Sequence, residues 1–407
     1  MQRAIRRRAK QSSSNSRGVF AINRVTVNMK KCGPSIEFGI CWRSITLVLL
    51  MLAFMSMHGA AVAQDKSDPL EPQSDVRNAL ASPLKAVTIM TGNLDLTRRF
   101  YQGALGMTPT FLSMRGPKAR TLALHWGMAP TDTLQMVTFS RPGQLDQVAV
   151  RAILIATDTP SNRPGYDSAF AGALGMGFPA NDLKTRDAIV SALGFKSVVG
   201  VTSMSIPRAD RSIYDVSEVD YEAPDDVLVL GVDRGDMRPV GPVDPAIGIG
   251  GPAYASMLVR QAKDAVPLFG EVLGYEMRRE LNFKSPGSAG RMRLPQGAEI
   301  RFQQWFAPGS RTSYLVIIDL LNADKPNPTE LSAKNRGIAM WSFEVKNLQQ
   351  ARARARKAKV AVVKEPAMID LPGVGAVRSM ILATADGFLV EVIEARPQTA
   401  LTKLAVR

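Results

Sequence analysis

LKAVTIMTGNLDLTRRFYQGALGM (Leu84–Met107) and PAYASMLVRQAKDAVPLFGEVLGY (Pro252–Tyr275) are one pattern written twice. Each opens on a short alternating strand, passes a polar residue into an amphipathic helix and stops at a Leu-Gly turn. A period of two that switches to one near 3.6 marks a strand followed by a helix. In the first copy Asn93 is placed to cap the helix, Leu96, Phe100 and Ala104 form its apolar stripe, and Gly106 ends it. The second copy has Gln261 at the cap and Pro267 inside. Proline removes an N–H and crowds the preceding turn, which predicts a shorter or kinked helix there.

Two further echoes lie downstream. LQMVTFSRPG (Leu134–Gly143) matches IRFQQWFAPG (Ile300–Gly309), and FPANDLKTRDAIVSALGF (Phe178–Phe195) matches FEVKNLQQARARARKAKV (Phe343–Val360). Phe100 to Pro142 is 42 residues and Leu268 to Pro308 is 40; from those prolines to Phe178 and Phe343 is 36 and 35. Chance similarity does not hold register across three blocks, so the chain reads as an internal duplication, 84–233 and 252–395. A Pro/Gly-rich linker, 234–251, joins the copies; a segment 64–83 precedes them and a tail 396–407 follows.

Within each copy a strand-helix-strands block is followed by another. With the opening Phe100, Tyr101, Leu105 and Gly106, and the closing strand ATADGFLVEVIEA (Ala383–Ala395), this resembles the vicinal-oxygen-chelate superfamily. That superfamily includes glyoxalase, bleomycin-resistance and extradiol-dioxygenase proteins. The resemblance covers nearly all of 84–395 and implies an α+β architecture. Its tandem modules each pair βαβββ units into a curved mixed sheet around a cavity. Pairing of the modules within the chain is expected, and homodimerisation is left open.

The resemblance also implies a divalent metal held by His and Glu at fixed strand positions. At the first-strand position the chain has Ala86 and Tyr254, and on the strand opening each second half it has Gly175 and Met340. At the fourth-strand position the alignment gives Gln135 and Arg301, and at the last position Leu230 and Glu391. A catalytic zinc needs about three protein ligands, and Glu391 is the one metal-type side chain in this set. The expectation is no metal and no other cofactor.

Arg301 and Glu391 are expected within reach of each other in place of the metal, pairing or receiving a ligand. Tyr254, Arg301 and Glu391 are thus the catalytic candidates. On alternating strands Ser256 and Arg260 share a face with Tyr254, and Gln303 and Trp305 share one with Arg301, which predicts a polar and aromatic cavity wall. Met340 is a filler of that wall, and His125 is a lone histidine placed near a strand end. The run Arg352, Arg354, Arg356, Lys357 and Lys359 falls on the last helix and reads as a solvated face.

Residues 1–63 carry a basic stretch up to Arg43, an apolar run from Ile45 to Met57 and small residues ending at Ala61, Val62 and Ala63. That is the pattern of a secretory leader. Cleavage is expected after Ala63, with translation starting at Met29, no stable membrane anchor afterwards, and a periplasmic or secreted product. The leader holds a net +9 of the chain's +15, so the remainder has a net of only +6 and makes a weak case for nucleic acid. Both cysteines, Cys32 and Cys41, lie in the leader, which leaves the mature part neither disulfide nor thiolate chemistry.

Two functions of different classes follow. One is an exported, metal-independent binding protein for a small organic ligand, aromatic or bearing a carbonyl or carboxylate. The other is a cofactor-independent lyase, isomerase or hydrolase using Tyr254, Arg301 and Glu391 as acid, anion holder and base. A metal-dependent glyoxalase or dioxygenase stands third.

Overall fold

The computed structural model describes residues 68–394 apart from 69, 142–147, 167, 208–211, 285–292, 296 and 328–332. The leader with its cleavage point and start, Pro142 and the tail 396–407 lie outside the described residues. No helix among the described residues is long and apolar enough to cross a membrane.

Four βαβββ units follow one another. Unit one is β1 (Ala86–Thr91), α1 (Leu94–Arg98), β2 (Thr108–Arg115), an extra helix α2 (Gly116–His125), β3 (Thr133–Ser140) and β4 (Ala149–Leu154). Unit two is β5 (Gly172–Pro179), α3 (Leu183–Ala192), β6 (Lys196–Ser197), β7 (Thr202–Pro207), β8 (Ile213–Ala223) and β9 (Val227–Asp233). Unit three is β10 (Tyr254–Val259), a helical stretch 262–272, β11 (Glu276–Lys284), β12 (Glu299–Phe306) and β13 (Tyr314–Leu320). Unit four is β14 (Gly337–Val345), α4 (Leu348–Lys357), β15 (Ala361–Leu371), β16 (Gly375–Ala383) and β17 (Leu389–Glu394).

Local chemistry accounts for the helix starts. Asn93, Asp182 and Asn347 each accept a hydrogen bond from the backbone N–H three residues on, satisfying a donor that the first turn leaves free. Gln261 makes no such bond, and its helix begins as a 3-10 turn that widens into a π turn from Val266. The distortion expected from Pro267 is therefore present. Proline is not its sole cause, since α1 widens in the same way from Arg99 to Ala104. Phe100 and Ala104 are fully buried, but Leu96 is 37% exposed, so the apolar stripe is narrower than its spacing suggested. Gly106 (φ 67°) and Gly274 (φ 71°) close the two equivalent helices in the left-handed region.

In every unit the first and last strands pair in parallel: β1 with β4, β5 with β9, β10 with β13 and β14 with β17. Two units then join antiparallel through their first strands. β1 lies against β14 and β5 against β10. The result is an eight-stranded curled sheet, β15-β16-β17-β14-β1-β4-β3-β2, and a nine-stranded one containing β11-β12-β13-β10-β5-β9-β8-β6 with β7 paired to β8. Each sheet pairs two βαβββ units, as the resemblance implies. The partners, however, come from different copies: units one and four make the first sheet, units two and three the second.

Side chains alternate between two faces of each strand. Val87, Ile89, Val150, Val390 and Val392 on one sheet and Met176, Phe178, Ala255, Met257 and Ile317 on the other belong to one continuous core with Phe100, Phe269 and Leu348 of the helices. The opposite, inner faces carry separate apolar clusters, one per sheet.

Candidate functional site

The parallel registers identify which residues occupy equivalent inner positions. Glu391 lies beside Ser342, Arg151 beside Thr88, Leu230 beside Gly177 and Val316 beside Ser256. Arg151 on β4 and Val316 on β13 therefore stand where Gln135 and Arg301 were expected. Those two residues sit on third strands, β3 and β12. Gln135 shares the parity of Val137 and Phe139, and Arg301 that of Trp305, all three of which belong to the core behind the sheets. Gln135 and Arg301 are equivalent positions of the repeat, but on the strand before the one that carries the inner site.

In the eight-stranded sheet the inner positions form a closed polar cluster. Glu391 is fully buried and accepts from Trp126 Nε1 at 2.7 Å, Ser342 Oγ at 2.7 Å and Arg151 Nη1 at 3.2 Å. Arg151 Nη1 also lies 3.4 Å from Thr88 Oγ1, and its guanidinium carbon is 5.2 Å from the centre of the Trp126 ring. Trp126 follows α2, the helix inserted between β2 and β3. Ala119, Leu122, Ala123 and Trp126 pack with Met90, Met136, Ile153, Met340, Leu389 and Ile393 of the inner face. Unit one thus fills its own sheet's concavity with a helix. Met340 takes part as buried filler.

The metal that the resemblance implies does not fit this cluster. Its one carboxylate is already shared among three donors, and the neighbouring vertex is a guanidinium, which repels a cation and offers no lone pair. The equivalent positions of the nine-stranded sheet, Tyr254, Ser256, Gly177, Leu230 and Val316, supply no carboxylate or imidazole. Among the described residues no group of three or more His, Cys, Asp or Glu side chains is placed to hold a metal ion.

His125 is the last residue of α2, not of a strand, and its Nε2 is 3.0 Å from Ser379 Oγ on β16. Burial lowers its pKa, with the Glu391 charge opposing and Lys364 assisting. It is buried beside the Glu391 cluster and does not line the cavity of the nine-stranded sheet.

The nine-stranded sheet keeps its concavity open. A cavity of about 440 Å³ is lined by Tyr214, Tyr254, Tyr314, Phe283, Phe302 and apolar side chains including Val216, Leu230, Val232, Ile300 and Val316. Aromatic stacking builds its floor: Tyr254 and Tyr314 have ring centres 5.1 Å apart at 26°, and Tyr314 and Phe306 4.5 Å apart at 22°. Glycine makes this arrangement fit. A Cβ on Gly177, directly across from Tyr254, would come within 1.9 Å of the Tyr254 ring. The Tyr314 phenol is raised far above its ordinary range, chiefly by burial.

Of the residues expected in one wall, Tyr254 and Ser256 line this cavity. Arg260 is exposed just beyond β10, where its N–H donates to Asp386 Oδ2 at 3.1 Å. Arg301, Gln303 and Trp305 face away from it: Arg301 Nε is 3.9 Å from Glu280 Oε1, Gln303 Nε2 donates to Glu280 Oε2 at 2.6 Å, and Trp305 Nε1 donates to Gln303 Oε1 at 2.9 Å. Strand alternation places Phe302 and Gln304 in the cavity instead. Tyr254, Arg301 and Glu391 occupy the cavity, the other face of the same sheet and the other sheet, so the structure does not assemble them as acid, anion holder and base.

Arg151 and Trp126 were missed, although both left a signal. Arg151 interrupts the apolar run Val148–Leu154, and a charge inside a buried strand requires a partner. Gly116-Pro117 followed by Ala119, Leu122, Ala123 and Trp126 carries a helical period and start. In the last helix Arg352 and Arg356 pair with Glu365, and Arg354 donates to the Val272 carbonyl, so the basic run is divided between surface pairs and a packing contact.

No family model and no curated protein matches the chain. Solved structures do. A substituted form of glyoxalase I from Zea mays aligns with a TM-score of 0.53 at 12% identity, over 78% of this chain and 94% of that one. The enzyme from Zea mays without a named substitution gives 0.52 at 12% identity, over 78% and 94%. Identity at this level speaks for the fold. With four βαβββ units, parallel first and last strands, and units paired through their first strands, the chain has the fold of the vicinal-oxygen-chelate superfamily in tandem, two-copy form.

Proposed function

We propose that the protein binds a small, mainly aromatic organic molecule in the cavity of the nine-stranded sheet without the help of a metal. The observation that carries this reading is the contrast between the two inner faces. One is filled by α2 and an ion pair. The other is an aromatic-lined space of about 440 Å³, within the usual range for small-molecule pockets. Export, as read from the leader, would bring the protein to its ligand in the periplasm or outside the cell. A binding role is favoured over cofactor-free catalysis because the proposed catalytic three are held apart.

The test is to fill the cavity. Leu230 lies on its wall, and Leu230→Trp adds bulk there without touching the Glu391 cluster. Titration with naphthol, followed by its fluorescence, should show saturable binding to the wild type and at least about a tenfold loss in the variant, which forfeits apolar contact with the probe. Equal binding by both proteins would place any site elsewhere.

A further inference from the structure

We propose that the cavity's ligand is an aromatic monocarboxylate that also carries an O–H or N–H donor; this inference rests on the cavity being the ligand site. Two side chains carry it. Arg279 stands half-buried on β11 and lines the cavity with Leu281 and Phe283, which follow at alternate positions. It has no hydrogen bond or ion pair among the described residues, unlike its neighbour Arg278, whose guanidinium donates to the carbonyls of Ser310 and Ala307. The register breaks between Met277 and Arg279, which leaves Arg278 as the extra residue; it stacks over Phe306, and Arg279 resumes the pairing opposite Gln304 on the cavity side.

Directly across the strand pair from Arg279 is Gln304. Its side chain is 6% exposed and lines the cavity; Nε2 donates to Tyr314 Oη at 3.4 Å, while Oε1 is buried with no hydrogen-bond partner. A buried acceptor without a donor is a standing penalty that a ligand O–H or N–H would relieve. The guanidinium beside it presents a planar fork of donors that matches a carboxylate.

The other charged groups on the wall limit the ligand to one anionic end. Arg234 is already held by Asp68, at 3.0 and 3.1 Å, and Lys284 lies 3.9 Å from Glu299. Glu218 is the one carboxylate among the described lining residues and would oppose a second anionic group. Between these groups the aromatic wall of Tyr214, Tyr254, Phe283 and Phe302 suits an aromatic ring.

The experiment is a fluorescence titration of the full chain with three probes, a hydroxynaphthoate, naphthoate and naphthol. The acids should bind about tenfold or more tighter than naphthol, and the hydroxy acid about fivefold tighter than naphthoate. Arg279→Gln should abolish the preference for acids while naphthol still binds saturably, which also shows that the variant is folded. Gln304→Leu should remove the advantage of the hydroxyl, and Arg279→Lys should retain part of the preference. If naphthol binds as tightly as the acids, or Arg279→Gln leaves the preference intact, the proposed ligand class is wrong while the cavity remains the site. If none of the three probes binds, the cavity reading fails and takes this inference with it.

Discussion

Glu391 shows how one residue can keep its place and lose its expected company. The closing segment ATADGFLVEVIEA singles it out, and it does lie on the inner face of a sheet. Its cation is Arg151, from the other copy, rather than Arg301. Both are nearly inaccessible, with side chains 0% and 9% exposed. Removing one member of a buried pair strands the other, whereas replacing both with apolar groups of similar volume is often tolerated. Glu391→Gln should therefore destabilise the fold by about 3 kcal/mol or more. Arg151→Met with Glu391→Met should lose less than the sum of the two single changes. Denaturant unfolding of the wild type, Glu391→Gln, the two single Met variants and the double variant decides this, and simple additivity of the Met changes would mean that the two side chains are not coupled.

At the scale of elements, what was legible was whatever repeats. The strand-helix openings, the cap at Asn93 and the weak start at Gln261 follow from local chemistry and could be read directly, and Asp182 and Asn347 cap their helices by the same rule. The third and fourth strands were harder. Leu134–Ser140 and Ile300–Phe306 echo one another strongly enough to pass for closing strands, while the true fourth strand β13 turns Tyr314, Val316, Ile318 and Leu320 inward and carries no charged marker on that face. A shift to the neighbouring strand also exchanged the faces, which is why Gln303 and Trp305 were expected where Phe302 and Gln304 stand. Gly175 is the β5 position that the sequence reading singles out, but it is Gly177, two residues on, whose missing Cβ admits the Tyr254 ring. Gly177→Ala should displace that ring, lower the melting temperature by several degrees and weaken naphthol binding at least about fivefold. A variant with wild-type melting and binding would show that the close approach has no role in shaping the cavity.

At the scale of the whole molecule, the two copies exchange halves. The linker 234–251 stays between units of one sheet, while the connections 155–171 and 321–336 cross between sheets and bond to each other at Ser161 with Arg336 and Phe170 with Asn327. Self-comparison shows the duplication but not this exchange, because pairing between strands far apart in sequence leaves no local pattern. The segment before the first copy is also tied in. Asp68, buried, accepts from Arg234, Arg311 and the Leu70 N–H, and Leu70 itself lines the cavity. Burial alone would raise the Asp68 pKa, but hydrogen bonds and charge from Arg234, with Leu70 and Arg311, bring it below the ordinary value of 3.8. A carboxyl whose pKa is lowered on folding stabilises the native state above its unfolded pKa and loses that contribution as pH falls through the folded value. Asp68→Asn should then be less stable than wild type by about 3 kcal/mol at pH 7. The gap should close progressively below about pH 4. A gap that is constant from pH 7 to pH 2 would remove the ion pair from the explanation.

The central claim is that the two sheets have parted company, one closed by Arg151 and Glu391 and the other open for an organic ligand. A crystal structure grown in the presence of both zinc and a hydroxynaphthoate tests it most directly. The account predicts the probe against Tyr254 and Tyr314 with its carboxylate at Arg279, and the Glu391 cluster unchanged. Zinc or probe seated at Glu391, with Arg151 displaced, would contradict it.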